Sequence, residues 1–263
     1  MIERRSTIMP EIRKKRTSKE YLILGLKGFC MGAADVVPGV SGGTMAFILG
    51  IYQELIASIK SVDLDFLRLL LSGKIKETFS AVSWQFLAAV AAGIFTAIFT
   101  IAKVLAYLLE THPVMIWSFF FGLVAASVVT ICFEITKWRP RVVAGMIAGA
   151  LVAYMVVGKV PVSTPETAWF LFLSGALAIC AMILPGISGA FILVLLGKYQ
   201  YILNAVNHRD FLTLFIVAAG AAVGLVSFVR LLHWLFDNYR QMTIALLAGL
   251  LLGSLRKIWP WKA

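Results

Sequence analysis

The chain has 263 residues, of which 60% are apolar and 14% are charged, and its formal net charge is +11. Soluble domains carry about 25% charged residues, so this composition excludes an ordinary water-soluble protein. The excess of basic residues lies in the N-terminal segment and the loops, and we therefore predict no nucleic-acid partner. Cys30, Cys132 and Cys180 are unmatched in spacing and predict neither a disulfide framework nor a metal site, and no cofactor is predicted.

Residues 1–20 form a basic tail. Its basic residues are Arg4, Arg5, Arg13, Lys14, Lys15, Arg16 and Lys19. The apolar segment that follows has no small-residue cleavage site, so it does not resemble a cleaved signal peptide. A basic tail of this kind stays in the cytoplasm, and contact with anionic lipid is an alternative role for it. We predict a multi-pass membrane protein with a cytoplasmic N-terminus.

The first apolar segment is followed by a helix-breaking motif. As a helix, Leu22–Asp35 would be only ~21 Å long, too short to cross ~30 Å of hydrocarbon. Pro38 lacks an N–H group and Gly39 permits unusual backbone angles, so we predict a re-entrant or broken helical hairpin here, with an ordinary proline kink as the alternative. Irregular backbone at membrane depth needs protein or a water-filled cavity around it. This predicts an internal cavity at the break.

Further spans follow the first motif. An interfacial amphipathic segment is predicted near Leu69–Leu71 and Lys74–Glu77. Two full spans are predicted at about Trp84–Leu109 and Val114–Thr136, and a further helix at Val142–Val157.

The chain contains an internal repeat. Pro38-Gly39-Val40-Ser41-Gly42-Gly43 recurs as Pro185-Gly186-Ile187-Ser188-Gly189-Ala190, and the same spacing aligns Tyr52 with Tyr199 at matched helix ends, interpreted as interface anchors. A second constant spacing pairs Lys103 with Arg230 and Glu110 with Asp237. Matches at fixed spacing indicate a duplication.

These features predict an all-α polytopic membrane protein of two inverted repeats, each a broken hairpin followed by two transmembrane helices. The first repeat is 21–136, a linking transmembrane helix lies in 137–166, and the second repeat is 167–263. The units are inverted because three crossings separate the two breaks. This agrees with basic loops on the cytoplasmic side, except that Arg256, Lys257 and Lys262 fall outside, which a missing last helix would explain.

The breaks are candidate anion sites. A half-helix beginning at Gly39 or Gly186 would direct free N–H groups into the cavity, and serine hydroxyls and nearby glycines suit a phosphate. Local helix capping is the alternative. The predicted substrate-binding residues are Asp35, Pro38, Gly39, Ser41, Gly42, Gly43, Lys103, Pro185, Gly186, Ser188, Gly189 and Arg230, with no catalytic residue.

Three charged positions have more than one interpretation. Lys103 and Arg230 are candidate phosphate partners or snorkelling side chains. Asp35, replaced by Met182 in the second unit, either carries a coupling proton or ion or caps local N–H groups. His233, beside Trp234, is interpreted as interfacial rather than catalytic.

The stretch Lys27–Thr44, together with Pro185–Gly189, resembles the motifs of the bacterial polyprenyl-phosphate transporter family. The resemblance covers nearly the whole chain after residue 20. It implies that undecaprenyl phosphate, the lipid carrier for cell-wall glycans, is returned from the outer to the cytoplasmic leaflet of the bacterial inner membrane. Polyprenyl phosphate and membrane lipids are then the partners, with a proton or sodium as possible coupling ions.

Two other functions stay open at the level of sequence. An ion-coupled transporter of a small anion or other solute would share this architecture. A membrane undecaprenyl-diphosphate phosphatase would also pair re-entrant segments with a Pro-Gly-x-Ser motif. Its chemistry requires acidic groups near the phosphate, and Ser41 and Ser188 are followed by glycine rather than by a cluster of glutamates. We therefore predict a transporter and not an enzyme.

Overall fold

The computed structural model describes residues 16–36, 40–61, 72, 82–162 and 164–261. Within these ranges the chain is all helix and connecting turns, as predicted from the sequence. The helices are α1 (Ser18–Val36), α2 (Gly42–Ile48), α3 (Tyr52–Lys60), α4 (Trp84–Thr111), α5 (Pro113–Phe133), α6 (Pro140–Val157), α7 (Ala168–Ile183), α8 (Gly189–Leu195), α9 (Tyr199–Asn207) and α10 (Phe211–Ser254). The predicted interfacial segment at 69–77 lies outside the described residues except for Ser72.

Among the described residues, four helices, α4, α5, α6 and α10, are long and apolar enough to cross a membrane. They present large apolar side chains to the outside: Phe99 is 80% exposed and Phe133 is 82% exposed. Such surfaces are unfavourable in water and favourable in hydrocarbon. The protein is therefore a multi-pass membrane protein.

Local sequence sets where the helices begin. Thr17 and Glu20 form a capping box before α1, because the Thr17 N–H donates to Glu20 Oε2 (2.7 Å) and the Glu20 N–H to Thr17 Oγ1 (3.4 Å). Pro113 and Pro140 stand at the first positions of α5 and α6, where a missing N–H costs nothing. Each start therefore has a local cause in the sequence.

Two helix pairs are sharply bent. The axes of α2 and α3 differ by 117°, and those of α8 and α9 by 104°. Both bends contain a glycine with positive φ, Gly50 at 70° and Gly197 at 63°, a conformation that other residues adopt at a cost. The N–H of each glycine donates to a carbonyl three residues earlier, at 3.1 Å and 3.0 Å. The two bends therefore have the same backbone geometry.

Close backbone contacts at glycines join α1 to α4 and α7 to the first half of α10. Gly93 of α4 lies against the carbonyl of Gly25 in α1, with no room for a Cβ, and Gly220 of α10 lies in the same way against the carbonyl of Phe172 in α7. Small residues allow helices to approach closely in lipid. Successive contacts show that α1 runs parallel to α4 and that α7 runs parallel to the first half of α10.

The long helix α10 is broken at Tyr239, where φ is −135° and ψ is 41°. The turn between α4 and α5 has nearly the same angles at His112, −132° and 51°. The part of α10 after Tyr239 thus follows the first part of α10 in the same way that α5 follows α4. It runs parallel to α6 through contacts at Gly149 and Gly249, and it is largely buried, with Leu247 and Leu251 fully buried.

Candidate functional site: two helix breaks in contact

In the first break, local side chains cap a short helix. The Gly42 N–H, at the first position of α2, donates to Asp35 Oδ1 at 2.6 Å, and the Gly43 N–H donates to Ser41 Oγ at 3.1 Å. Ser41 has an extended backbone and is only 1% exposed. Asp35 therefore acts as a helix cap in this conformation. Pro38 and Gly39 lie outside the described residues.

The second break has the same outline with fewer polar side chains. Pro185 is buried, and Gly186 has a φ of 88°. Ser188 precedes α8, but its side chain does not bond to the start of that helix. Gly189 lies against the carbonyl of Ala178, 2.5 Å from where a Cβ would be. The start of α8 is therefore capped by no side chain of its own motif.

The two breaks contact each other directly. The buried N–H of Gly186 donates to Thr44 Oγ1 at 2.9 Å, and Ser41 Oγ donates to the carbonyl of Met182 at 3.2 Å. The hydroxyl of Tyr52 donates to the carbonyl of Ile183 at 3.1 Å. Side chains of the first break thus bond the backbone of the second. Protein groups, rather than water, satisfy this part of the irregular backbone.

Two expectations from the sequence are corrected by this geometry. The short helices begin at Gly42 and Gly189 instead of at Gly39 and Gly186, because the serine before each glycine is the N-cap residue. Tyr52 is 2% exposed, so it is not an interface anchor; its partner in the repeat, Tyr199, is 42% exposed.

The two candidate cations lie on the long helices. Ala97 of α4 lies against Gly32 of α1, and Lys103 is about 9 Å further along the axis, at the level of the first break. Gly224 of α10 lies against Ala176, which in the same way places Arg230 level with the end of α7. Both cations are exposed, and within the described ranges neither is paired with an acid.

The sequence analysis missed two polar residues of the site. Thr44 lies three residues after Ser41, on the same face of α2, and its hydroxyl meets the second break. Lys27 of α1 donates from Nζ to the carbonyl of Leu49 at 2.7 Å, which joins α1 to the bend after α2. The sequence signal for Thr44 is a threonine one turn after a serine cap in an apolar helix. The signal for Lys27 is a lysine inside the apolar helix α1.

Two apolar cavities lie away from the breaks. One, of about 550 Å³, runs along α6 from Trp138 to Tyr154, and the other, of about 260 Å³, lies at Tyr239. No residue of either motif lines these two cavities. Within the described residues, no three His, Cys, Asp or Glu side chains are grouped closely enough to hold a metal ion.

These features define a class: a multi-pass helical membrane protein in which two bent helix pairs bring matched Pro-Gly-x-Ser breaks into contact. Residues 31–263 match the family described as undecaprenyl phosphate translocase-like. The chain belongs to that family.

Two curated relatives carry the name polyprenyl-phosphate transporter. The protein from Vibrio cholerae is 47% identical over 242 residues, which cover 92% of this chain and 79% of the relative. The protein from Staphylococcus aureus is 31% identical over 257 residues, which cover 89% of this chain and 85% of the relative. No solved structure gives a significant match. The family resemblance predicted from the motifs is confirmed, and the relatives are transporters by name rather than enzymes.

Proposed function

We propose that this protein transports undecaprenyl phosphate from the outer to the cytoplasmic leaflet of a bacterial inner membrane, where the carrier is reused for cell-envelope glycan synthesis. The family match and the names of the relatives support the substrate. The structural observation that carries the proposal is the bond from the Gly186 N–H to Thr44 Oγ1. It joins two broken helices of separate units, the arrangement from which membrane transporters build a substrate site.

The two units are proposed to be inverted. Parallel packing of α1 with α4 and of α7 with the first half of α10 supports the view that each hairpin returns to its side of entry. Three crossings, α4, α5 and α6, then separate the hairpins. Parallel packing of α6 with the last part of α10 agrees with this count. With a cytoplasmic N-terminus, the turn at 110–113 would lie outside and the turn at 134–139 inside.

The proposed phosphate site combines both breaks and one cation from each unit. The start of α8 at Ser188 and Gly189 has no capping side chain from its own motif, so its N–H groups are the ones assigned to the phosphate. At the first break, the carboxylate of Asp35 must leave Gly42 before a phosphate can take its place. Lys103 and Arg230 would meet the phosphate as it moves, while the isoprenoid tail stays in lipid.

Transport is tested with purified full-length protein in liposomes that contain a fluorescent polyprenyl phosphate, whose outer-leaflet pool is bleached by a membrane-impermeant reductant. We expect wild type to move the lipid with its phosphate intact. We expect Arg230→Gln and Lys103→Gln each to lower the rate at least about tenfold, the scale of one lost charge-assisted phosphate contact. The matched control is Lys159→Gln, an exposed lysine after α6, which should keep the wild-type rate.

The outcomes separate the rival functions. Uptake of inorganic phosphate without lipid movement would identify a small-anion transporter. Release of phosphate from undecaprenyl diphosphate would identify a phosphatase. Unchanged rates in both cation variants would remove Lys103 and Arg230 from the path. Orientation is tested separately by labelling Glu134→Cys and Lys159→Cys in intact cells with an impermeant maleimide; labelling of Lys159→Cys alone is expected.

A further inference from the structure

A cluster of three ionisable side chains connects α3 to α10 at the end of α3 that lies farther from the breaks. Lys60 is the last residue of α3, and His233 and Asp237 are one turn apart on α10. Lys60 Nζ lies 3.0 Å from His233 Nδ1, and Asp237 Oδ2 lies 2.8 Å from the same nitrogen. The side chain of His233 is 18% exposed and that of Asp237 is 43% exposed, so the cluster is partly enclosed between the helices.

Both neighbours of His233 use one ring nitrogen. An imidazole nitrogen carries either a hydrogen or a lone pair in the ring plane, and the carboxylate requires the hydrogen whereas the ammonium requires the lone pair. The two contacts therefore cannot be made at the same moment. With Nδ1 unprotonated, His233 accepts from Lys60. With Nδ1 protonated it donates to Asp237, and only the imidazolium, in which both ring nitrogens carry a proton, also faces Lys60 with a like charge.

Other charged groups lie on the helices that pack around this cluster. On α3, Glu54 is ion-paired with Arg16, and the hydroxyl of Tyr52 donates to Ile183. On α10, Arg230 lies one turn before His233 and Arg240 lies one turn after Asp237, and both are exposed. Helices α5 and α7, which also pack on α10, contain no Asp, Glu, Lys, Arg or His within their bounds.

The remaining contacts of α10 lie at its two ends. Helix α6, whose ionisable groups are the exposed Arg141 and Tyr154, packs against the part of α10 after Tyr239. Helix α9 carries Tyr199 and Tyr201 as its ionisable groups. Lys60 and Asp237 are therefore the charged groups in contact with His233 in the described structure.

We propose that Lys60, His233 and Asp237 form a proton-binding site, and that uptake of one proton releases the end of α3 from α10. The neutral ring and the imidazolium present different groups at Nδ1, so the proton bound at this site decides which neighbour His233 can bond. The sequence repeat does not carry these three residue types a second time. The corresponding positions of the other unit hold Asn207, Ala106 and Glu110, which lack both the imidazole and the ammonium.

Release of α3 acts on the breaks through the other end of the same helix. Tyr52, the first residue of α3, bonds the carbonyl of Ile183 and contacts the ring of Phe236, one residue before Asp237. Movement of α3 relative to α10 therefore changes a contact that joins the first unit to the end of α7. This link between proton binding and lipid transport rests on the proposed function, whereas the proton site can be tested without substrate.

The first experiment measures the distance between α3 and α10 in the full chain. Spin labels are placed at Ser61→Cys and Asn238→Cys after replacement of the three native cysteines by alanine, and distances are recorded in lipid nanodiscs from pH 5.5 to 8.5. We expect a longer distance at low pH, with one midpoint. A distance that is the same at all pH values would overturn the proposal, as would an unchanged response in His233→Gln.

Variants of the neighbours keep the test decisive if His233→Gln folds poorly. Removal of the Asp237 charge in Asp237→Asn should move the midpoint to lower pH, because the imidazolium loses its counter-charge. Removal of the ammonium in Lys60→Met should move it to higher pH, because the unprotonated ring loses its donor. Shifts in the same direction, or none, would contradict the shared-nitrogen geometry. His208→Gln, an exposed histidine bonded to Asn204, is the matched control and should keep the wild-type midpoint.

A second experiment separates failure of this inference from failure of the proposed function. In the liposome assay, wild-type transport should change at least about threefold across the midpoint found by spin labelling, and His233→Gln should give the same rate at all pH values. A pH-dependent distance in a protein that moves no lipid would refute the transport function and retain the proton site. Lipid transport with a pH dependence that His233→Gln leaves unchanged would refute the coupling.

Discussion

In the first hairpin, Asp35 and Ser41 bond the first two N–H groups of α2, whereas in the second hairpin Met182 and Ser188 occupy those positions and cap no N–H of α8. The two bends that follow have nearly equal backbone angles at Gly50 and Gly197. The two bends thus share their backbone geometry and differ in the polar side chains that precede them. The first hairpin satisfies its own helix and also supplies side chains to the second.

The difference assigns separate roles to the hairpins. Thr44 and Tyr52 bond backbone groups of the second break, whereas their counterparts Phe191 and Tyr199 make no equivalent bond to the first break in the described structure. We therefore interpret the first hairpin as the part that holds the second in place. In the proposed function, the start of α8 is the part that receives the phosphate.

The largest expected effect is at Gly186. A Cβ there would lie 2.9 Å from both Leu250 O and Ser254 Oγ, and φ is 88°, so Gly186→Ala combines a clash with backbone strain. We expect a loss of roughly 2–4 kcal/mol in stability, measured as a lower melting temperature in detergent, and loss of transport.

The matched control for that change is Gly122→Ala in α5, where a Cβ would meet nothing within 4 Å. This variant should melt at or slightly above the wild-type temperature, because alanine favours helix. If the two alanine variants melted alike, the second break would not be held by the close contacts described.

The next effect tests the contact between the hairpins. Thr44→Val keeps the shape of the side chain and removes the acceptor of the buried Gly186 N–H, which should cost about 1–3 kcal/mol. Thr96→Val is the matched control, since Thr96 lies on the exposed face of α4 and bonds only its own helix. The comparison uses melting temperatures in the same detergent. Equal melting of the two variants would show that the hairpins do not depend on this bond.

A smaller pair of changes compares the two serines directly. Ser41→Ala removes an N-cap and a bond to Met182, so we expect a loss of about 1 kcal/mol. Ser188→Ala removes no cap and should leave stability within about 0.5 kcal/mol of wild type, while lowering transport if Ser188 contacts the phosphate. Greater destabilisation by Ser188→Ala would reverse the roles of the hairpins.

The smallest expected effect concerns the residues that precede the long helices α4 and α10. Asp210 caps α10 by accepting from the Thr213 hydroxyl (2.7 Å) and N–H (3.2 Å), and these bonds hold the pKa of the Asp210 carboxyl below its usual range. A lowered carboxyl pKa in the folded state adds stability above the ordinary pKa, and the contribution disappears as the pH falls through the lowered value. Ser83, at the start of α4, makes no such cap.

Melting between pH 7 and pH 3 tests this contrast. We expect Asp210→Asn to be slightly less stable than wild type at neutral pH. Its melting temperature should fall less than that of wild type as the pH is lowered. Ser83→Ala should follow the wild-type curve in shape. An unchanged acid decline in Asp210→Asn would assign that decline to other carboxyl groups.

Much of this protein followed from local sequence physics. Proline and glycine break helices wherever they stand, so the breaks after Val36 and Ile183 were predictable from the two motifs. Apolar length predicted α4, α5 and α6 within a few residues, because a helix in lipid must satisfy its own backbone. The motif stretch Lys27–Thr44 also predicted the family.

The contacts that define the site depended on tertiary structure. The bond between Thr44 and Gly186, and the cluster of Lys60 with His233 and Asp237, join residues far apart in the chain. Hydropathy and spacing predict which segments enter the membrane, but not which faces meet, because helix packing in lipid depends on close contacts at small residues and on a few hydrogen bonds. The sequence by itself therefore determined the apolar helices and their breaks, and the packing of α2 and α3 against α7 and α10 decided which polar groups meet.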